Sequence, residues 1–217
     1  MTTWAVVPVK VLSKAKQRLG ARLSAAQRTA LAREMLEVVL DALAGARSLG
    51  GVIVVSADDE ARSLARDRGF LVLDEPTPGG LDAAVRRAAE WLTRRRIDTM
   101  LVVASDLAAV TPADIEALLA AHPGGRALTL APSHDRAGTN AMVVSPPLAI
   151  RPAYGIGSFV RHLEAGRAAT LGVAVVERPA LALDVDLPCD LDTLARWRGC
   201  ARPVRSQPVR AQAAALS

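Results

Sequence analysis

Carboxylates that could share a cation stand at two places in this chain. Asp106 follows the apolar run Met100-Leu101-Val102-Val103-Ala104, where a buried strand would end. Asp184 and Asp186 alternate at the end of Leu181-Ala182-Leu183, read as a strand, and a period of two puts both on one face. Charges two residues apart at such a place repel each other unless a cation sits between them. Oxygen-only ligation suits Mg²⁺, which takes a few carboxylates together with substrate phosphates. Asp106 and Asp190 also have an ordinary reading, as helix caps or turn formers.

Cations gather at another strand end. Ala5-Val6-Val7-Pro8-Val9 reads as a buried strand, and Lys10, Lys14, Lys16 and Arg18 follow within nine positions. In an open α/β sheet ligands lie beyond the carboxyl ends of the strands, so these cations would face a polyanion such as a phosphate chain. A solvated basic loop is the competing reading. Gly138-Thr139-Asn140 and Gly155-Ile156-Gly157-Ser158 combine glycines, which let backbone amides approach a ligand, with a hydroxyl or amide side chain. Ser158 at a helix N-terminus would add unpaired N–H groups, although a capped helix start explains the same pattern. His122, His134 and His162 have no carboxylate or cysteine in local register and are read as loop or helix-surface residues without a role. Trp4, Trp91 and Trp197 read as core fillers, and Arg94-Arg95-Arg96 as a solvated helix end.

The elements that must position these groups alternate. Strands are expected at residues 5–9, 52–56, 70–73 and 100–104. Helices are expected from the capping box Ser24–Gln27 to Gly45, over 58–68, and from Leu81 to about Arg95. Asp74 to Gly80 is a turn-rich loop. Continuous apolar strands separated by helices predict an α/β fold, a mostly parallel sheet with helices on both faces. Thr111-Pro112 opens a further helix, 127–131 and 141–144 are strands, and a short helix starts at Ser158. Strands at 173–176 and 181–183 and a last helix to about Trp197 complete the pattern.

The 217 residues suffice for one domain over residues 1–200, with a basic tail over 201–217 read as disordered or loosely attached. With 51% hydrophobic and 3% aromatic residues, the core must be built from Ala, Val and Leu. A net charge of +5 is a mild excess that suits a polyanionic small molecule better than nucleic acid. Cys189 and Cys200 form no CxxC pair, which excludes a cysteine metal cluster. The start of the chain lacks a leader pattern and no apolar run could span a membrane, so a cytoplasmic protein is expected.

Taken in order, Pro8-Val9-Lys10, Lys14 to Leu19, Asp106, Gly138-Thr139-Asn140, Gly155 to Ser158 and Asp184-Val185-Asp186-Leu187-Pro188-Cys189-Asp190-Leu191 resemble the phospholactate guanylyltransferases of coenzyme F-420 biosynthesis. The resemblance runs from about Val6 to Trp197. It implies a three-layer Rossmann-like nucleotidyltransferase fold related to the molybdenum-cofactor guanylyltransferases. The implied reaction joins GTP to 2-phospho-L-lactate, phosphoenolpyruvate or 3-phosphoglycerate and releases pyrophosphate. Carried over by position, Pro8, Lys10, Lys16, Arg18 and Asp106 would face the nucleotide, with Lys16 and Arg18 on its phosphates. Asp106, Asp184 and Asp186 would hold Mg²⁺. Thr139, Asn140, Gly155, Gly157 and Ser158 would hold the acceptor. Gly80, Leu81 and Asp82 stand where the family faces the base with Gly-Leu-Asn; Asp82 could accept from guanine N1 and N2 but not donate to O6. Ala108 and Ala109 stand where family members often place a proline after the Asp-Leu of the metal site. Other nucleotides or acceptors on the same fold, a non-catalytic nucleotide-binding module and a homodimer stay open.

Overall fold

The computed structural model describes residues 2–75 and 79–200. Part of the expected Asp74–Gly80 loop and the whole 201–217 tail therefore lie outside the described residues.

The first half of the chain alternates as its pattern requires: β1 (Thr3–Val9), α1 (Ala25–Gly45), β2 (Leu49–Ser56), α2 (Asp59–Asp67), β3 (Leu71–Leu73), α3 (Leu81–Arg94) and β4 (Thr99–Val103). Then follow α4 (Pro112–Ala120), β5 (Ala127–Pro132), β6 (Thr139–Ser145), α5 (Ser158–Ala168), β7 (Gly172–Val175), α6 (Pro179–Ala182) and α7 (Pro188–Cys200). The strands form one seven-stranded sheet in the order β3-β2-β1-β4-β6-β5-β7. Every strand runs parallel to β1 except β6, which is antiparallel to both its neighbours. The order reverses between β1 and β4, so their carboxyl ends diverge around a crevice. The amino end of β6 lies at the same edge, because Val103 pairs with Ala141.

Successive side chains of the central strands serve opposite faces, hence their unbroken apolar sequence. Val7, Val54, Leu101 and Val143 pack with α1, α2 and α4, whereas Val6, Ile53, Val102 and Met142 pack with α3 and α5. The three-layer α/β expectation is therefore met. A smaller cluster of Leu19, Met35, Val185 and Leu194 joins α7 to α1 and to the basic segment. The expected helix starts carry their caps. Ser24 and Gln27 form the reciprocal capping box of α1, and Thr111 with Asp114 does the same for α4 behind Pro112.

One expected strand is absent. Leu181 and Ala182 lie in α6, and Leu183 follows the helix rather than joining the sheet. Pro179 at the first helical position has no N–H for a ladder and a φ already suited to a helix. Asp184 is tied down instead by an isolated antiparallel bridge to Leu107. Asp184 and Asp186 thus follow a helix, and their proximity does not come from strand alternation.

Candidate active site

Beyond the carboxyl ends of β1 and β4 lies a cavity of about 600 Å³. Pro8, Lys10, Lys16, Arg18, Leu81, Asp106, Thr139, Asn140, Gly155, Ser158, Asp184 and Asp186 all line it. Of the residues expected to bind, Gly80, Asp82 and Gly157 do not. Six segments far apart in the chain thus meet at one place.

After β1 the chain makes two 3₁₀ turns, Leu12–Lys14 and Gln17–Ala21, rather than one open loop. Asp58 positions their start: its carboxylate caps α2 by accepting from Ala61 N–H and also accepts from Leu12 N–H at 2.9 Å. Lys10, Lys14 and Arg18 remain exposed along the cavity wall. Lys16, between the turns, has left-handed backbone geometry with φ 55°, uncommon for a residue with a Cβ and concentrated at functional sites. Its ammonium reaches inward, 2.7 Å from Asp106 Oδ2 and 2.8 Å from Asp186 Oδ1. The positive charge that Lys16 supplies thus stands between Asp106 and Asp186, and not between Asp184 and Asp186 where the sequence pattern placed a cation.

The electrostatics follow from that placement. Burial opposes the charged ammonium of Lys16, but Asp106 and Asp186 outweigh it and hold its pKa above the ordinary lysine value. Asp184 faces instead the exposed His134 ring, whose Nδ1 lies 3.9 Å from its Oδ1. Burial first, then the charge of Asp106, pushes its carboxyl above the usual range, although Asn140 Nδ2 donates to Oδ1 at 3.3 Å. Asn140 Nδ2 also donates to Leu181 O at 3.0 Å, latching the Asp184 segment to β6. Asp190 is the turn former of its ordinary reading, since Oδ2 accepts from the backbone N–H groups of Asp186 and Leu187 at 2.9 and 2.7 Å. The donor chemistry here, oxygen atoms only with three negative charges, fits a hard divalent cation. The set is not preassembled, because no group of three acidic, histidine or cysteine side chains is placed to hold one ion among the described residues.

On the opposite wall, the segment from Ala153 to Ser158 bends through Gly155 at φ 100° and Gly157 at φ 77°. Gly157 caps α5, and Ser158 is the first helical residue, buried, with its hydroxyl 3.3 Å from Thr139 Oγ1. Arg161 binds the carbonyls of Ala153, Tyr154 and Ile156, at 2.9, 3.0 and 2.6 Å for its closest contacts. Asp82, expected at the base, instead accepts from Tyr154 N–H at 2.8 Å.

His162 corrects its expected place on a helix surface, for it is fully buried. Its Nδ1 lies 3.0 Å from Thr139 Oγ1, and Nε2 accepts from Ala153 N–H at 2.9 Å. Burial, partly opposed by Asp82, pushes its pKa down to about 4. Sequence reasoning missed Asp58, Arg161 and His162. For His162 a signal existed: it stands four residues after Ser158, on the same face of α5. Trp4 and Trp91 pack on each other at 5.5 Å between ring centroids, as core residues do. Arg95 covers the Trp91 ring at 3.6 Å while Arg94 to Arg96 stay exposed. No helix among the described residues is long and apolar enough to cross a membrane.

Comparison with known proteins agrees with this geometry. Residues 3–196 match the family described as "Guanylyl transferase CofC like". The phosphoenolpyruvate guanylyltransferase of Sphaerobacter thermophilus is 44% identical over 195 residues, covering 90% of this chain and 93% of that protein. The 3-phospho-D-glycerate guanylyltransferase of Colwellia psychrerythraea is 35% identical over 90% of this chain and 92% of its own length. The 2-phospho-L-lactate guanylyltransferase of Methanothermobacter thermautotrophicus is 32% identical over 88% and 83%. Among solved structures, a protein from Desulfovibrio desulfuricans assigned as a nucleotide-diphospho-sugar transferase superposes with a TM-score of 0.73 at 18% identity, covering 93% of this chain and 90% of that one, which speaks for the fold. With the family model spanning nearly all the described residues, the chain belongs to the CofC-like guanylyl transferases.

Proposed function

We propose that this chain transfers the guanylyl group of GTP to the phosphate of a three-carbon phosphoacid, phosphoenolpyruvate foremost, in coenzyme F-420 biosynthesis. The observation that carries this reading is one cavity with a cationic and carboxylate wall at one side and a small hydroxyl- and glycine-lined wall at the other. The 44% identical relative named for phosphoenolpyruvate supports the choice of acid.

A phosphate oxygen of the acid forms a bond to the α-phosphorus of GTP as the bond from that phosphorus to its β-bridging oxygen breaks. Pyrophosphate leaves with that electron pair. The attacking oxygen is already ionised at neutral pH, so the chain need supply no general base. Its work is placement and charge compensation. Lys10, Lys14 and Arg18 draw the triphosphate to the end of β1, and Lys16 stands beside the reacting phosphorus. Thr139, Ser158 and the Gly155 amide hold the acceptor's anionic groups. Asp106, Asp184 and Asp186 would hold a magnesium ion, which neutralises phosphate oxygens and the leaving group.

The test is pyrophosphate release from GTP and Mg²⁺ with each of the three phosphoacids offered alone. Release with phosphoenolpyruvate above the other two is expected. Silence with all three, from folded protein that still binds GTP, would refute the reading.

A further inference from the structure

At the hydroxyl-lined wall, three buried groups have hydrogen bonds that determine one another. A backbone N–H can only donate, so the 2.9 Å bond from Ala153 N–H makes His162 Nε2 an acceptor without a proton. In neutral imidazole the proton then resides on Nδ1, the atom 3.0 Å from Thr139 Oγ1. Thr139 accepts that bond, and Ser158 Oγ lies 3.3 Å away on its other side. The two hydroxyls own two protons, and the bond between them uses one, whichever way it points. One proton is left over, and both residues line the cavity. The other tautomer would reverse the outcome: Thr139 would donate back to His162, Ser158 to Thr139, and the wall would present lone pairs that repel an anion.

We infer that His162 is a positioning residue that sets the polarity of the acceptor wall, forcing the Thr139–Ser158 pair to present a hydroxyl donor to the phosphoacid. The inference rests on the acceptor reading above and adds what makes that wall complementary to an anion. Ala153 stands at the start of the acceptor segment, so the bond that fixes the tautomer also anchors the Tyr154–Gly157 turn. Arg161 gathers that turn's carbonyls from the same helix. Tyr154 closes the arrangement by standing edge-on to the imidazole, 4.9 Å between ring centroids.

Two measurements test it. In folded wild-type protein at pH 7, ¹⁵N spectra of the histidines should show the His162 proton on Nδ1; a proton on Nε2, or an imidazolium, overturns the inference without any substitution. In turnover assays, His162→Phe should raise the KM for the phosphoacid about tenfold or more, the scale of a lost hydrogen bond to a charged group, with the KM for GTP unchanged. His162→Asn, which restores a donor at the Nδ1 position, should recover part of that loss. Added to Thr139→Val, His162→Phe should cost less than twofold more, because the proton it directs is already gone. Equal losses in both backgrounds, or a rise in the GTP KM alongside the acceptor KM, would reduce His162 to a packing residue. Wild-type protein silent with every phosphoacid would instead sink the guanylyltransferase reading, and the nitrogen spectrum would still decide the tautomer.

Discussion

Replacing Lys16 by methionine keeps most of the side-chain volume and removes only the ammonium, so it isolates what that charge does. The Lys16 side chain is 5% exposed, against 30% for Asp106 and 48% for Asp186. Taking one partner from a fully buried pair costs about 3–5 kcal/mol. Two partly exposed carboxylates recover some hydration, moving the figure toward the small worth of surface pairs, and about 2 kcal/mol is expected. For a protein of this size that is a fall in Tm of about 4–8 °C. The pH dependence gives the sign. Without the ammonium, the mutual repulsion of Asp106, Asp184 and Asp186 is uncompensated, and protonation of the set relieves it. An acid whose pKa is higher folded than unfolded costs stability above its folded pKa, and the cost vanishes as pH falls to the unfolded value of about 3.9. The Tm deficit should therefore be full at pH 7 and close as pH approaches 4. Millimolar Mg²⁺ should also raise the Tm of Lys16→Met more than that of the wild type. Thermal melts in chelator, in Mg²⁺ and across that pH range measure all three. A variant at least as stable as wild type at pH 7 in chelator, or a deficit unchanged at pH 4, would refute the account of Lys16 as counter-charge.

Asp184→Asn should separate stability from activity. The Asp184 carboxyl is held above its usual pKa by burial and by Asp106, so its charge costs stability at pH 7 and the neutral isostere should melt higher in chelator. Turnover should fall more than a hundredfold, and a variant that melts lower or retains near wild-type rate would contradict this. Asp82→Ala should raise the phosphoacid KM several-fold with little change for GTP, because the carboxylate anchors Tyr154 N–H. Altered discrimination between guanine and other bases would put Asp82 at the base instead.

The half of the fold around β1, β2 and β4 was legible because those strands are covered on both faces. Such strands must be apolar without interruption, and only sequence breakers separate them from the helices. The Ser24 and Thr111 caps were legible because a cap is a local contract between residues three apart. Asp106 and the Asp184–Asp186 pair stood out as charges directly after apolar runs. The same local logic misread Leu181-Ala182-Leu183, four residues or fewer being too short for periodicity to separate strand from helix, and there Pro179 decided. What could not be read was convergence. Lys16 meets Asp106 across 90 residues and Asp186 across 170, and no spacing in the chain encodes either distance. The spacing of His162 from Ser158 could be read, but its partners could not, for a related reason: they are the Thr139 hydroxyl, 23 residues earlier, and a backbone N–H, which no side-chain inventory lists.

The position of Lys16 also constrains how a nucleotide enters. One ammonium cannot stay between Asp106 and Asp186 and also move onto a phosphate chain. A triphosphate arriving bare would draw it away and leave three partly buried carboxylates uncompensated, while bringing further negative charge beside them. A triphosphate arriving with a divalent cation would exchange one counter-charge for another, and the released ammonium would then face phosphate oxygens rather than carboxylates. The Mg²⁺ arm of the Lys16→Met melts reads the same exchange from the other side, since a site already lacking its ammonium has nothing to give up when the ion binds. The two walls of the cavity thus reach anion complementarity by different means. On the proposed assignment, it would come at the β1 end from an ammonium that the incoming ion displaces, and at the β6 end from hydroxyl protons fixed before the acceptor arrives.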